Sequence, residues 1–454
     1  MGRAAENRCL PVRSARRIGG AFGCPGRHAA RPAAKRKETG VKTRFVIAGT
    51  GNRGLGCFAK GLLGWPTKGR PEFPQRADLV ALVDANQSRA RMCAAELKQP
   101  DLPVFRSVAE AQRLAPADWC IVTTPDFSHR DVVVEALEAG LHVLVDKPLA
   151  TSAWECDQIL AAMRATGRQV VVGHNMRYNA AVLKTAQLVR GGAIGEVLQV
   201  EAGEVLDTHH GGDYFHRWHS DFSKSCGLLT HKCCHHLDAL CWMLDDDPVD
   251  VAAWGARTFY RPRPDLDHGE RCSDCRIAAT CPSAFEMDKW DGVHRRIYRD
   301  CEAEDGYVRD RCVWSDRHTV NDHEVLNIRF AKGTLATFTC LTFAPKEYSY
   351  FYLTGRTGRL ELRGNSLTWY HEDGTVEDVT FATEGGEHAH GGADICLIAD
   401  ILGLPGSLPL QRAHPAEARR AVLIADLANR SIAAAGRPVH CSEAGRDRPP
   451  APPR

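Results

Sequence analysis

Asp146-Lys147-Pro148 ends an apolar run, LHVLVDKP, and so places an ammonium group at the tip of a strand. Pro148 restrains the backbone there, in cis or in trans, so that Lys147 is offered to a cleft. A lysine beside a hydride acceptor can hold a substrate hydroxyl and help to take its proton. Thr123-Thr124-Pro125 and His129 end the preceding apolar run, which puts them on the same rim of a parallel sheet. A second group lies in CGLLTHKCCHHLDALCWML. On a helix, His231, His235, Asp238 and Trp242 share one face, with Lys232 and His236 about 100° round from it. Imidazoles titrate near neutrality and suit general acid or base work, although any one of them can equally be a hydrogen-bonded structural residue. Just upstream, DTHHGGDYFHRWHSDFSKS gathers Asp213, Tyr214, Arg217, Trp218 and His219. Aromatic faces beside charged donors suit a polyhydroxylated ring, with its apolar CH faces and hydroxyl edges. Arg177 and Tyr178, in GHNMRYN, are expected to line the same cleft.

The elements that must position these residues begin at RFVIAGTGNRGLGCFAKG. It reads as a buried strand, a glycine turn and a helix. Gly49 permits the tight turn, Gly51 leaves room for a pyrophosphate, and Gly54 lets the helix pack on the strand. The amides of Asn52 and Arg53 open the helix and face the phosphates. A second strand, ADLVALVDAN, ends in Asp84, which can accept from both ribose hydroxyls or cap the helix from Gln87 to Lys98. An acid there favours NAD over NADP, although Arg89 nearby can serve a 2′-phosphate. Strands alternate with helices as far as Gly173, which implies a Rossmann domain over residues 42–172. From residue 173 to 440 the texture changes to a helix over 227–244 and recurrent strands with hairpin turns. The fold class is therefore α/β, an N-terminal Rossmann domain followed by an α+β domain with a mainly antiparallel sheet. A final helix spans Pro415 to Ala435, and the Pro/Arg-rich residues 441–454 read as a disordered tail.

The chain has 454 residues, 44% of them apolar and 25% charged, as in an ordinary globular protein. Residues 1–40 hold ten Lys/Arg and two Glu, and read as a disordered basic extension or a misassigned start. The remainder carries 48 basic against 54 acidic residues, so no nucleic-acid surface is expected. No apolar run approaches the roughly 18 residues of a membrane span. Without a secretory signal, the 18 cysteines read as reduced core thiols, and the cytoplasm is the expected compartment. One group stands apart. Cys272, Cys275 and Cys281, at C-x2-C-x5-C spacing in an insertion over about residues 262–312, can hold a structural zinc, with His268, Cys301 or Cys312 completing it. Reduced surface cysteines or one disulfide are the alternatives.

GTGNRG, VDAN, TTPDFSH, DKP and GHNMRYN, in this order, resemble the Gfo/Idh/MocA oxidoreductases, over roughly residues 42–440. The resemblance implies an open-sheet C-terminal domain, dimers or tetramers, and a catalytic role for Lys147, with Asp146 replacing the usual Glu. It implies that His235 is the catalytic-type histidine and that Asp238 is the last acid of the family's Asp-x-x-x-His-x-x-Asp. His231 stands where the first Asp would be. The expected activity is hydride transfer between nicotinamide and a secondary alcohol of a sugar, sugar derivative or cyclitol. Lys147 would polarise the hydroxyl, and His235, assisted by His231, would move the proton. Cofactor contacts are expected from Gly49, Gly51, Asn52, Arg53, Gly54, Asp84, Thr124, Pro125, His129, Asp146 and Lys147. Substrate contacts are expected from Arg177, Tyr178, Asp213, Tyr214, Arg217, His219, Lys232 and His236. An NAD-dependent glycosidase, which oxidises, eliminates and re-reduces, is the alternative. A nicotinamide-sensing binding protein is a third reading, against which Lys147 and His235 argue.

Overall fold

Phe45, Val46, Ile47 and Ala48 are all buried because helices cover both faces of the sheet they centre. The structure, a computed structural model, describes residues 41–66, 68–287, 292–381, 392–404 and 411–452. The first sheet comprises β1 (Thr43–Ala48), β2 (Ala77–Val83), β3 (Val104–Phe105), β4 (Trp119–Val122), β5 (His142–Asp146) and β6 (Val170–Gly173). All pair in parallel in the order β3-β2-β1-β4-β5-β6. The order reverses between β1 and β4, which opens a crevice at their C-terminal ends. The glycine turn lies there. Gly49 has φ +95°, and a Cβ on Gly54 would stand 2.0 Å from the Gly49 carbonyl oxygen, so both positions require glycine. The helix that follows opens with a π-helical segment, Arg53–Ala59.

The second sheet is built from β7 (Val197–Asp207), β8 (Pro248–Ala256), β9 (His323–Phe330), β10 (Leu335–Ala344), β11 (Tyr348–Gly355), β12 (Gly358–Arg363), β13 (Ser366–His371), β14 (Val376–Thr380) and β15 (Val439–His440). Its order is β14-β13-β12-β11-β7-β10-β9-β8-β15, and β7 with β10 is the one parallel pair of this sheet among the described residues. β9 and β10 alternate strictly, burying Leu326, Ile328, Phe330, Ala336, Phe338 and Cys340 against helices while Val325 and Leu335 face outward. The fold class is as the sequence implied. The helix Pro415–Ala433 joins the two cores. Ala418 and Val422 pack with the first sheet, and Leu423, Ile424 and Leu427 with the second.

Two expectations are corrected, and one lies outside the described residues. The helix read over 227–244 is broken, as Gly227–His231 and Cys234–Leu244. At the break the Cys233 amide donates to the Leu228 carbonyl, one residue further back than in an α-helix. The tail read as disordered is pinned through Arg448, which donates twice to Glu155 Oε1 (3.0 and 2.8 Å) and to the carbonyls of Phe127 and Ser223. Glu155 is a buried carboxylate that needs a cation, and composition does not report that need. The reading of residues 1–40 falls outside the described residues. Arg448→Ala is expected to lower stability by about 1–2 kcal/mol, read as a fall in the urea midpoint at unchanged slope, because Arg448 is partly exposed and its pairing is screened.

Candidate active site

The break after His231 builds the centre of the site. It frees the His231 carbonyl from the helical ladder, and Lys147 Nζ donates to that oxygen at 2.9 Å. The Lys147–Pro148 peptide is cis. The His231 ring faces the Rossmann rim, where Nδ1 lies 2.7 Å from Asp126 Oδ2. Asp126 comes from TTPDFSH, directly after Pro125, and begins a single 3-10 turn, Asp126–Ser128. Burial pushes the Asp126 carboxyl well above the usual carboxylate range. Burial, then the charges of His219, Lys147 and Arg217, hold His231 well below the usual histidine range. Both shifts disfavour separated charge across this pair. Its contact fixes the ring and leaves Nε2 facing away from Asp126.

An aromatic wall stands beside it. His219 lies 3.9 Å from the His231 ring and stacks on Trp218 at 3.8 Å, while Tyr214 meets both histidines edge-on at 5.5 Å. Burial, then Arg217, Lys147 and Arg309, keep His219 well below its ordinary range. Tyr214 and His219 therefore join His231, as the sequence predicted. Asp213 is saturated by Arg217 and Arg309, each at 2.6 Å, and Arg217 also lies over the Tyr214 ring. Against the opposing effect of burial, those guanidinium groups hold the Asp213 carboxyl below its usual range.

Other expected substrate residues are placed differently. Lys232 and His236 both pair with Glu204, at 3.0 Å, and His236 stacks on Phe351. Burial opposes ionisation of Glu204, but its contacts with His236 and Lys232 outweigh it and hold its carboxyl well below the usual range. Arg177 is 1% exposed and gives Nε and Nη2 to Asp238, at 2.7 Å each, and Nη1 to Glu417. Tyr178 donates to Asp400. These residues hold elements of the second domain together, because a buried guanidinium keeps a carboxylate partner rather than waiting for a ligand. His235 is buried and its ring lies 6.0 Å from that of His174.

The cofactor rim is likewise knitted together. Asp84 accepts from the Thr50 amide and hydroxyl, at 2.8 and 2.6 Å, and from the Asn86 amide. Arg53 bridges Asp146 and Asp394. His129 sits between the carbonyls of Pro148 (2.7 Å) and Thr124 (2.8 Å), clasping two rim loops rather than facing the crevice. Arg89, read as a possible phosphate ligand, is committed to the Ile297 carbonyl and to Asp305. One feature fits a dinucleotide: Thr124 Oγ1 is buried without a hydrogen-bond partner among the described residues. At the glycine turn, a Cβ on Gly51 would crowd the Tyr298 hydroxyl at 3.3 Å.

Cys272, Cys275 and Cys281 line one small cavity with Cys312 and His268. Among the described residues, however, no three His, Cys, Asp or Glu side chains are arranged to hold a metal ion, which corrects the zinc reading. Cys301 is turned away, towards the Arg296 carbonyl. The described cysteines are free thiols. No described helix is long and apolar enough to cross a membrane. Sequence reasoning missed Asp126, whose signal was an acid directly after the rim proline.

Residues 43–174 match the family model described as "Oxidoreductase family, NAD-binding Rossmann fold", and residues 182–364 match "GFO/IDH/MocA C-terminal domain". Among curated proteins, the chain is 27% identical to the "Putative oxidoreductase YteT" of Bacillus subtilis, over 81% of this chain and 90% of that protein. It is 31% identical to the inositol 2-dehydrogenase of Gluconacetobacter diazotrophicus, over 41% of this chain and 53% of that one. Among solved structures, a levoglucosan dehydrogenase in complex with NADH and levoglucosan has the same fold, with a TM-score of 0.64 at 17% identity over 89% of this chain and all of that one.

Two measurements check this geometry. Burial pushes His174 and His318 down to about 4, so in the folded state they bind fewer protons than in the unfolded state between their ordinary pKa and that value. Their contribution to stability is complete above pH about 6.5 and is lost as pH falls to about 4. The urea midpoint should fall across that window, and His174→Gln should flatten the fall. Asp238→Ala, which leaves the buried Arg177 with Glu417 alone, should cost about 3 kcal/mol.

Proposed function

This chain belongs to the Gfo/Idh/MocA oxidoreductase family, and from that premise we propose that it moves a hydride between a secondary alcohol of a sugar, sugar derivative or cyclitol and a nicotinamide dinucleotide. The named relatives support the substrate class: inositol 2-dehydrogenases and a levoglucosan dehydrogenase both act on ring polyols. The aromatic wall of Tyr214, Trp218 and His219 supports it independently, since such faces match the CH faces of a ring.

The observation that carries the reading is the chain from Lys147 to the His231 backbone and from the His231 ring to Asp126. It brings an ammonium group and an imidazole to the C-terminal rim of the Rossmann sheet. When bound, the nicotinamide supplies the hydride acceptor. Lys147 binds the reacting hydroxyl and stabilises the developing alkoxide. His231 exchanges the proton at Nε2, and Asp126 positions its ring. The sequence favoured His235 with His231 assisting; we give His231 the leading role because its two contacts join both walls. Asp126 then supplies from the Rossmann rim the carboxyl that the helix lacks at position 231.

Incubation with NAD and a panel of sugars, cyclitols and aryl glycosides tests the reading through formation of NADH. Lys147→Ala should lower kcat about 100- to 1000-fold, the cost of removing one preorganised donor, with NADH binding little changed. Asp126→Asn should lower kcat and shift its pH profile with a smaller effect on KM, and Asp126→Glu should restore part of the rate. A second imidazole beside His231 also suits the proton traffic of elimination and water addition, which favours the redox-neutral glycosidase as the second reading. Release of aglycone without net NADH would select it.

A further inference from the structure

One segment of the cysteine-bearing insertion has no place in the chemistry above, yet it lies along the dinucleotide crevice. It runs from the helix Val293–Ile297 through the turn Arg299–Cys301 to Glu302–Asp305. Tyr298 reaches the glycine turn, where its hydroxyl accepts from the Asn52 amide at 2.9 Å. A Cβ on Gly51 would crowd that same hydroxyl, at 3.3 Å. The segment therefore reaches the groove that a pyrophosphate approaches.

Further contacts reach the helix Gln87–Glu96, which follows β2 and borders the adenosine ribose in this fold. The two carboxylate oxygens of Glu304 accept separately from the amides of Gln87 (2.9 Å) and Ser88 (2.8 Å). Asn86 Nδ2 donates to the Cys301 carbonyl at 2.8 Å. Arg89 donates to the Ile297 carbonyl and to Asp305, with Asp84 at 3.6 Å. Arg106, the remaining cation, pairs with Glu304 at 3.4 Å. A 2′-phosphate is held by donors of these kinds: helix-start amides and an arginine close to the ribose. Here the segment occupies each of them, and in their place stand the carboxylates of Asp84, Glu304 and Asp305. Hydrogen bonds from Ser88 and Gln87 hold Glu304 down to about 2, so it is an anion at any working pH.

We propose that Glu304, carried in from the insertion, is a specificity-determining residue that makes the site accept NAD and reject NADP. This rests on the dinucleotide reading above and deepens it. A ribose hydroxyl meets the carboxylates as a donor, whereas a 2′-phosphate meets them as a like charge, so discrimination arises from repulsion as well as from the loss of donors. The insertion thus completes the adenosine end of the site from the second domain.

The test is equilibrium titration of NADH and NADPH, followed by nicotinamide fluorescence or calorimetry, on wild type, Glu304→Gln and Glu304→Ser. Melting temperature serves as the check that each variant is folded. Wild type is expected to bind NADH at least about tenfold more tightly than NADPH, a ratio set by one like-charge contact near a surface. Both variants should tighten NADPH while leaving NADH within about threefold, and the NADPH gain should shrink as salt screens the contact. Folded variants that keep the wild-type ratio overturn the proposal, as does a wild type that prefers NADPH. A wild type that binds neither dinucleotide overturns the underlying reading, and this inference with it.

Discussion

The hydrogen bond from Lys147 to the carbonyl of His231 is the contact on which the rest of the site depends. A carbonyl inside a continuous helix would be occupied by the amide four residues on. The break at Lys232 and Cys233 removes that competitor and leaves an acceptor for a charged donor. A hydrogen bond to a charged group contributes about 1.5–3 kcal/mol, enough to keep a flexible lysine in one geometry. Breaking the helix sacrifices local regularity, and Glu204 offsets part of that cost by holding Lys232 in the break and His236 just beyond it. The same break turns the His231 ring to Asp126, so one backbone irregularity joins the two domains' contributions.

Around this centre, charge is distributed so that the reactive groups stay neutral or singly paired while the framework is saturated. Arg53 between Asp146 and Asp394 ties the Rossmann rim to the second domain, and Arg177 between Asp238 and Glu417 ties elements of the second domain together. Such buried pairs are costly to break singly, which makes them suited to fixing geometry. The histidines of the wall are held below their ordinary range by burial and by surrounding charge. Burial thus serves stability in the framework and disfavours charge on the wall's imidazoles.

Much of this was legible in the sequence, for identifiable reasons. The glycine turn, the parallel strands and Asp146-Lys147-Pro148 are local signals, each written within a few residues, and the structure has the strands where the patterns put them. Tyr214 and His219 were legible as a wall because aromatic and basic residues crowd one short stretch. What the sequence hid is non-local. Helical spacing placed His231 and His235 on one face, but the spacing cannot register a break that depends on Lys147, 84 residues away. Arg177 looked like a substrate ligand because its partner Asp238 lies 61 residues on. The tail looked disordered because its composition does not reveal the buried Glu155 that Arg448 neutralises. The segment around Tyr298 and Glu304 carried no motif, and its relevance appears only when the insertion is seen against the glycine turn.

The central claim is that Lys147 and Asp126 serve one centre, joined through His231. A double-mutant cycle of Lys147→Ala and Asp126→Asn on single-turnover hydride transfer tests this most directly, using the first sugar or cyclitol that yields NADH. Residues that act as a unit are strongly non-additive, so the double variant should lose little more than the worse single variant. Full additivity of the two losses in ΔΔG‡ would contradict the account.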